Sequence, residues 1–545
     1  MDTEKSPIHS MNVNVGTFNS ASSASSVNTN HPWIVLVCAD LGFTSHKPER
    51  ISSATINELL STTEIVITGT VDKDLPDGIA PFHIEYPLTD LKDLSPSSVT
   101  KRLSYLKHFR RAYEVLEDIS EKKVPVGNAL QDLSAMPLPS SIIGKLGLIG
   151  TVPPASTASP KAIDSILSMV DIGDDSGRDI PPATSPDFVA ALADGAAERE
   201  GVSMAAVHDC MRSIETLIGT LGKTVFNQPF FKTAVSSWNA LKTVLKLAGR
   251  NNDILFFLYS APCDAAERHF GDVLNSCATG NDIPDLVLWD YPVSTDTATM
   301  EQYSSIGELA DRFKTMVTAS LDYHDDLYRR IINGEPLKRV IEQPSFIPLR
   351  RLQKAASSRC LTLCVPDVVL PRGKAGDEIT IPGAWLLALQ WTASVIENSA
   401  PFHLQNNSIS QLNSFEFPKS GGMAPDAYQA GITLLRPNSI TTPRVLLEDS
   451  ESPYGSLLFN MLVNRTARLA AQWVDGQNAS VAVDDAASLL ERFLRTELAP
   501  YHILSSDEAV SVNVSSEQSL VVTVDSTVTV AGFPVRFQFS LTSPD

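Results

Sequence analysis

The chain has 545 residues and 59.0 kDa, 43% apolar and 19% charged, which makes it too long for one compact domain and too apolar for disorder. Its 43 Lys and Arg against 63 Asp and Glu leave a formal net charge of -20, which argues against nucleic acid as a partner and for neutral or basic protein surfaces. No window reaches the roughly 20 consecutive apolar residues of a membrane-spanning helix, and residues 1–30 are rich in Ser, Asn and Thr instead of placing an apolar stretch behind a basic start; the expectation is a soluble cytoplasmic protein without direct membrane insertion.

In chain order, residues 1–30 read as a flexible arm broken by Met11, Val13 and Val15, whose strict alternation is that of a short strand with one apolar face. Trp33 to Ala39 then reads as a buried strand, and Phe82 to Leu88 as another. Ser95 and Pro96 form a helix start, with Ser at the cap and Pro in the first turn. The expected helix carries Val99, Leu103, Leu106, Tyr113 and Leu116 on one face, while Lys101, Arg102, Lys107, Arg110 and Arg111 make a basic face.

From about 124 to 190 the composition turns to Pro, Ser, Ala and Gly, the best boundary in the chain; Ala162 to Val170 inside it reads as a short helix. Beyond it the pattern mixes helices and strands. Met211, Ile214, Leu217, Ile218, Leu221 and Val225 mark one helix, and Phe231, Val235, Trp238, Leu241 and Leu245 a second. A strand from Ile254 to Tyr259 and another at Leu286 to Trp289 follow. Tyr303, Ile306, Leu309, Phe313, Met316 and Val317 read as one helix, and Cys360 to Val365 as a strand ended by Pro366. The last 40 residues are β-rich, and Val535, Phe537, Phe539 and Leu541 alternate with polar residues. The fold class is therefore mixed α/β, with helices on the faces of sheets and strand-like arms at both ends. The expected division is an arm at 1–30, a domain at 31–123, a linker at 124–190, a larger domain at 191–505 and a C-terminal β region at 506–545.

Chemical motifs are sparse. Gly219 to Thr224 lacks the first glycine of a phosphate loop, because Leu217 stands there, and it closes a helix instead of opening one. The six cysteines read as buried thiols of a reducing compartment; Cys360 and Cys364, four apart on one strand, have no accompanying pair with zinc spacing. His324, Asp325 and Asp326 read as a solvated helix end. There is no HExxH, no GxSxG and no GxGxxG after a strand, so no catalytic residue, metal site or cofactor is assigned and the chain is not read as an enzyme.

Pro32 to Leu41 resembles the opening of the small sheath subunit, TssB or VipA, of bacterial type VI secretion systems, and Leu91 to Val99 resembles that subunit's Asp-Phe-Ser-Pro motif, with Leu94 in place of Phe. Together they cover residues 11 to 120. The rest is similar to the large sheath subunit, TssC or VipB, in the same order: Phe226 to Phe231 followed by Trp238 to Leu241, then Leu361 to Pro366 with Leu370 to Gly373, where Arg372 replaces a tyrosine, then Phe533 to Leu541. The chain thus resembles a natural fusion of two contractile-sheath subunits.

The resemblance implies a structural protein of the bacterial cytoplasm. It would polymerise helically with copies of itself around an inner tube protein on a baseplate, with an AAA+ unfoldase as a further partner. It also implies that Met11, Val13 and Val15 at one end, and Val535, Phe537, Phe539 and Leu541 at the other, are arms that complete sheets of neighbouring protomers. Phe537→Asp is then expected to block assembly and leave the protomer folded. The basic face at Lys101, Arg102, Lys107, Arg110 and Arg111 is a candidate tube- or neighbour-facing surface. Three alternatives stand beside this reading: the sheath of a phage-tail-like extracellular particle, a cytosolic mixed α/β enzyme, and an adaptor that does not polymerise.

Overall fold

The computed structural model describes residues 31–121, 204–370, 378–402 and 453–476 without a break, with most of 123–142 and 483–541 and parts of 416–448. Met11, Val13 and Val15 lie outside the described residues, as do the linker helix at 162–170 and Arg372.

Fourteen strands are described, β1 to β14 in chain order. The main sheet has seven, in the order β11 (Ile432–Leu434), β8 (Leu361–Val365), β7 (Met316–Leu321), β6 (Leu286–Val293), β1 (Trp33–Ala39), β5 (Ile254–Ser260) and β2 (Glu49–Ile51). Neighbours are parallel except β2, which runs antiparallel to β5 at the edge. β1, β7 and β8 are buried at every position, which explains their unbroken runs of apolar and small residues: a central parallel strand is covered on both faces. The parallel strands follow a doubly wound order, β1 being flanked by the next two strands of the series, β5 and β6.

On one face, the helices Cys263–Thr279 and Thr297–Phe313 bury Phe270, Tyr303 and Ile306 against Leu36, Val287 and Val317. The helix Gly383–Asn398, buried along almost its whole length, crosses β5 to β8. The chain is thus mixed α/β, as expected.

Two compact units divide the chain. The first comprises residues 1–66, 87–91 and 232–545; the second comprises 67–86 and 92–231. The second is an insertion in the chain between the early strands of the main sheet and β5. It holds most of a two-stranded sheet of β3 (Ile65–Val71) and β4 (Phe82–Leu88) with the helices Pro96–Arg102, Lys107–Ser120, Val126–Ser134 and Met204–Asn227. Its helix at 204–227 runs on past Gly222 and Lys223, which the sequence reading places at its end. Gly222 lies against Thr100 so closely that a Cβ would collide with the threonine side chain, so this glycine serves helix packing.

Three further readings change. Met316 and Val317 belong to β7, not to the preceding helix, which stops when Lys314 turns left-handed at φ 52°. His324 to Asp326 begin a helix instead of ending one: Asp325 caps Asp326–Ile332, its carboxylate accepting from Leu327 N–H at 2.7 Å and Thr295 N–H at 2.6 Å. Cys360 closes a 3-10 turn ahead of β8, so it and Cys364 do not share a strand; both are buried, and burial pushes each thiol up to about 12.

Candidate assembly interface

The C-terminal β region is an antiparallel sheet of β12 (Val510–Val514), β13 (Leu520–Val530) and β14 (Phe533–Leu541), with β13 in the middle. The sequence builds it by matching alternations. Val524 sits opposite Phe537, Val522 opposite Phe539 and Leu520 opposite Leu541, and all six side chains are buried. These cross-strand pairs set the register, since a slip of one residue would turn the apolar set outward. On the polar face Arg536 of β14 forms an ion pair with Asp525 of β13, which raises the guanidinium's pKa further.

β14 pairs with β13 of its own chain from Leu541 back to Phe533. Phe537 also packs on Phe459 of the helix Leu457–Asp475, so it belongs to the protomer's own core. Val535 stands opposite Ser526 in the same ladder.

The two edges of this sheet differ. Along β12, the helix Val483–Leu498 supplies side chains to the strand backbone: Arg495 Nε and Nη2 donate to Val510 O at 3.2 and 3.0 Å, and Glu491 Oε2 accepts from Val512 N–H at 3.2 Å. The two side chains are themselves paired at 2.8 Å. At the other edge, among the described residues, β13 is the sole strand bonded to β14. Among the described residues one edge is closed by charge and the other carries no further strand, the geometry that admits one added strand. The sequence reading misses Arg495 and Glu491; their signal is an Arg four residues after a Glu, on an amphipathic helix directly before the β region.

The basic face divides among local tasks. The expected single helix breaks at Leu103 (φ -58°, ψ 118°) into Pro96–Arg102, a 3-10 turn and Lys107–Ser120. Its start is as expected, Ser95 Oγ accepting from Ser98 N–H at 3.3 Å. Arg102 forms an ion pair with Asp93. Arg110 Nη2 donates to Thr100 O at 2.5 Å and Leu103 O at 3.4 Å, satisfying carbonyls where the first helix ends. Arg111 meets Glu114 at 3.3 Å on the surface. Lys101 and Lys107 are exposed.

At the carboxyl ends of the main-sheet strands, where doubly wound folds place ligands, lie two buried carboxyls. Asp290 is pushed up to about 7 by burial, against the pull of Ser237 and Trp385 beside it. Asp367 is likewise raised to about 7 by burial, although its Oδ1 accepts from Gly383 N–H at 3.1 Å. Asp367 and Ser320 cap the helix Gly383–Asn398, Ser320 Oγ accepting from Ala384 N–H at 2.9 Å, which gives this end of the sheet a structural use. Among the described residues no group of three or more His, Cys, Asp or Glu side chains is placed to hold a metal ion, and no helix is long and apolar enough to cross a membrane.

No family model matches the chain, and no curated protein does. Among solved structures it is similar to a chain of the contracted sheath complex of PVC, an extracellular contractile injection system, at 11% identity and a TM-score of 0.34, covering 56% of this chain and 77% of that one. A chain of the anti-feeding prophage baseplate is similar at 12% identity and a TM-score of 0.30, with the same coverage.

Proposed function

We propose that the chain is a structural subunit of a contractile sheath, polymerising helically with copies of itself around an inner tube in the bacterial cytoplasm and contracting to drive that tube outward. The observation that carries this reading is the C-terminal sheet, closed along β12 by Arg495 and Glu491 and, among the described residues, bonded along β14 by no strand but β13. A strand lent by a neighbour fits the β14 edge, and the Met11 to Val15 alternation supplies such a strand. A head-to-tail contact of this kind does not close on itself and so propagates as a helix.

A second observation supports the two-subunit resemblance. β1, from the segment similar to the small sheath subunit, lies between β5 and β6 from the segment similar to the large one, so neither segment owns a complete sheet. The finer reading, a type VI secretion sheath on a baseplate, rests on the motif resemblance, and genes for a membrane complex beside its own would separate it from a free extracellular particle. Contraction would need no nucleotide, because the energy lies in the difference between two packings of the same subunits. The net charge of -20 suits a basic surface on the tube.

The test is negative-stain electron microscopy of the full chain beside a chain lacking residues 1–20. Hollow tubes from the first and none from the second are expected. Small discrete particles from both would return the protein to the adaptor or enzyme alternatives.

A further inference from the structure

The root of the N-terminal segment is held by far more than a strand's ladder. Where residues 1–30 lead into β1, Arg465 Nη2 donates to His31 O at 2.5 Å and Nη1 to Pro32 O at 3.4 Å. Its guanidinium lies over the Trp33 ring, 3.9 Å from the centroid. Trp33 adds two bonds, from N–H to Asp253 O at 2.7 Å and from Nε1 to Ser399 O at 3.0 Å. Ile34 N–H donates to Asp285 Oδ2 at 2.9 Å, and that oxygen also accepts from Arg465 Nη1 at 2.8 Å. Arg468 holds the other oxygen of Asp285 while its Nη1 donates to Pro284 O and Lys314 O at 2.9 and 2.7 Å. Arg465 also donates to Tyr501 Oη at 2.8 Å.

Stability alone does not call for this arrangement. The side chains of Arg465, Arg468 and Asp285 are 4%, 6% and 1% exposed, and buried ion clusters of this kind are often matched or bettered by apolar packing. What the cluster adds is direction. Two of its bonds, both from Arg465, reach the carbonyls of His31 and Pro32 just ahead of β1, where tension along residues 1–30 would arrive first. Arg465 stands on the helix Leu457–Asp475, and that helix also carries Phe459, the ring on which Phe537 of β14 rests. The two grips are six residues apart, or about 9 Å along the helix axis.

We infer that the helix Leu457–Asp475 is a load path, with Arg465 as the positioning residue that anchors the N-terminal segment and Phe459 as the seat of the C-terminal strand. Tension on the N-terminal segment reaches this helix through Arg465, in parallel with the ladder that β1 makes with β5 from Trp33 onward. The inference deepens the sheath reading, since it assumes that both termini bear load in the polymer.

Single-molecule pulling on the full-length protein tests it in two directions. One direction pulls residue 1 against the exposed Lys354; the other pulls the exposed Arg268 against Lys354. Arg465→Lys keeps the charge but loses the planar fork and the ring stacking, and should lower the first rupture force about twofold in the first direction only. Trp33→Phe, which removes the indole donor, should act in the same direction. An equal loss in both directions would reduce Arg465 to an ordinary core residue, and no loss in either would overturn the anchor. Because the pulling uses single protomers, a wild type that forms no tubes would sink the sheath reading without deciding this measurement.

Discussion

Phe537 of β14 meets Phe459 of the helix Leu457–Asp475 edge to face, with ring centroids 6.0 Å apart and planes at 84°. Both side chains are fully buried, and the contact fastens the C-terminal sheet to the body of its own unit. Phe537→Ala removes the ring and leaves a cavity, which should cost about 3–5 kcal/mol of stability. Urea denaturation read by fluorescence measures this. Phe537→Asp is harsher still, and it should detach β14 instead of leaving the protomer folded with assembly alone blocked. A Phe537→Ala protein as stable as the wild type would mean that the strand leaves this seat in solution.

Asp290 and Asp367 give a pH dependence whose sign is set by burial. Both carboxyls sit at about 7 in the folded chain, above the ordinary value of 3.8. The folded state therefore holds protons that the unfolded state has released between those pH values, and stability falls as pH rises across that window. At its steepest each group contributes about 1.4 kcal/mol per pH unit. Asp290→Asn should remove part of the slope, making the variant more stable than the wild type at pH 8, by a margin that shrinks steadily as pH falls toward 4. Denaturant midpoints across this range decide the matter, and an unchanged slope would mean that Asp290 is solvated in the native state.

Charge sets a third expectation. Subunits carrying -20 each repel as they associate, and the β14 edge offers backbone hydrogen bonds in place of opposite charges. Tube yield, measured by pelleting, should therefore rise as salt increases from about 0.01 M to 0.15 M and the screening length shortens from about 30 to 8 Å. A yield that falls with salt would point to contacts between opposite charges as the assembly force.

Much of the fold is legible in the chain because its strands carry strong patterns. Trp33 to Ala39 and Phe82 to Leu88 form strands with the expected bounds, and the alternating run from Val535 to Leu541 lies within β14. β7 escapes because Met316 and Val317 continue the helical spacing from Phe313, and a left-handed Lys314 is not a pattern that periodicity detects. The helix at 383–398 is buried on nearly all sides and so shows no polar stripe to mark it; that at 457–475 buries its polar row of Asn460, Asn464 and Arg468 as well. The strand at Val535 to Leu541 is plain in the sequence, but its pairing within the chain is not, since alternation gives a strand's faces and says nothing of which edge finds a partner. Arg465 and Arg468, two arginines one turn apart in an apolar stretch, are the one sequence sign of the buried anchor.

The asymmetry between the sheet's two edges yields the most direct functional test. Arg495 and Glu491 occupy backbone groups of β12 that would otherwise invite a strand. Arg495→Ala frees the Val510 carbonyl and removes the ion-pair partner of Glu491 at a cost of about 1–3 kcal/mol, so the β12 edge keeps the Glu491 bond to Val512 N–H but loses the guanidinium that covered it. A subunit with one docking edge propagates in a single mode, whereas one with two can also pair edge to edge through β12. The variant should give irregular bundles or amorphous aggregate in place of uniform tubes, while Arg268→Ala, which removes a surface i,i+4 pair with Asp264, should assemble as the wild type does. Electron microscopy of both distinguishes the outcomes. Uniform tubes from Arg495→Ala would show that the helix Val483–Leu498 shields β12 without this side chain, and that the specificity of assembly comes from β14 alone.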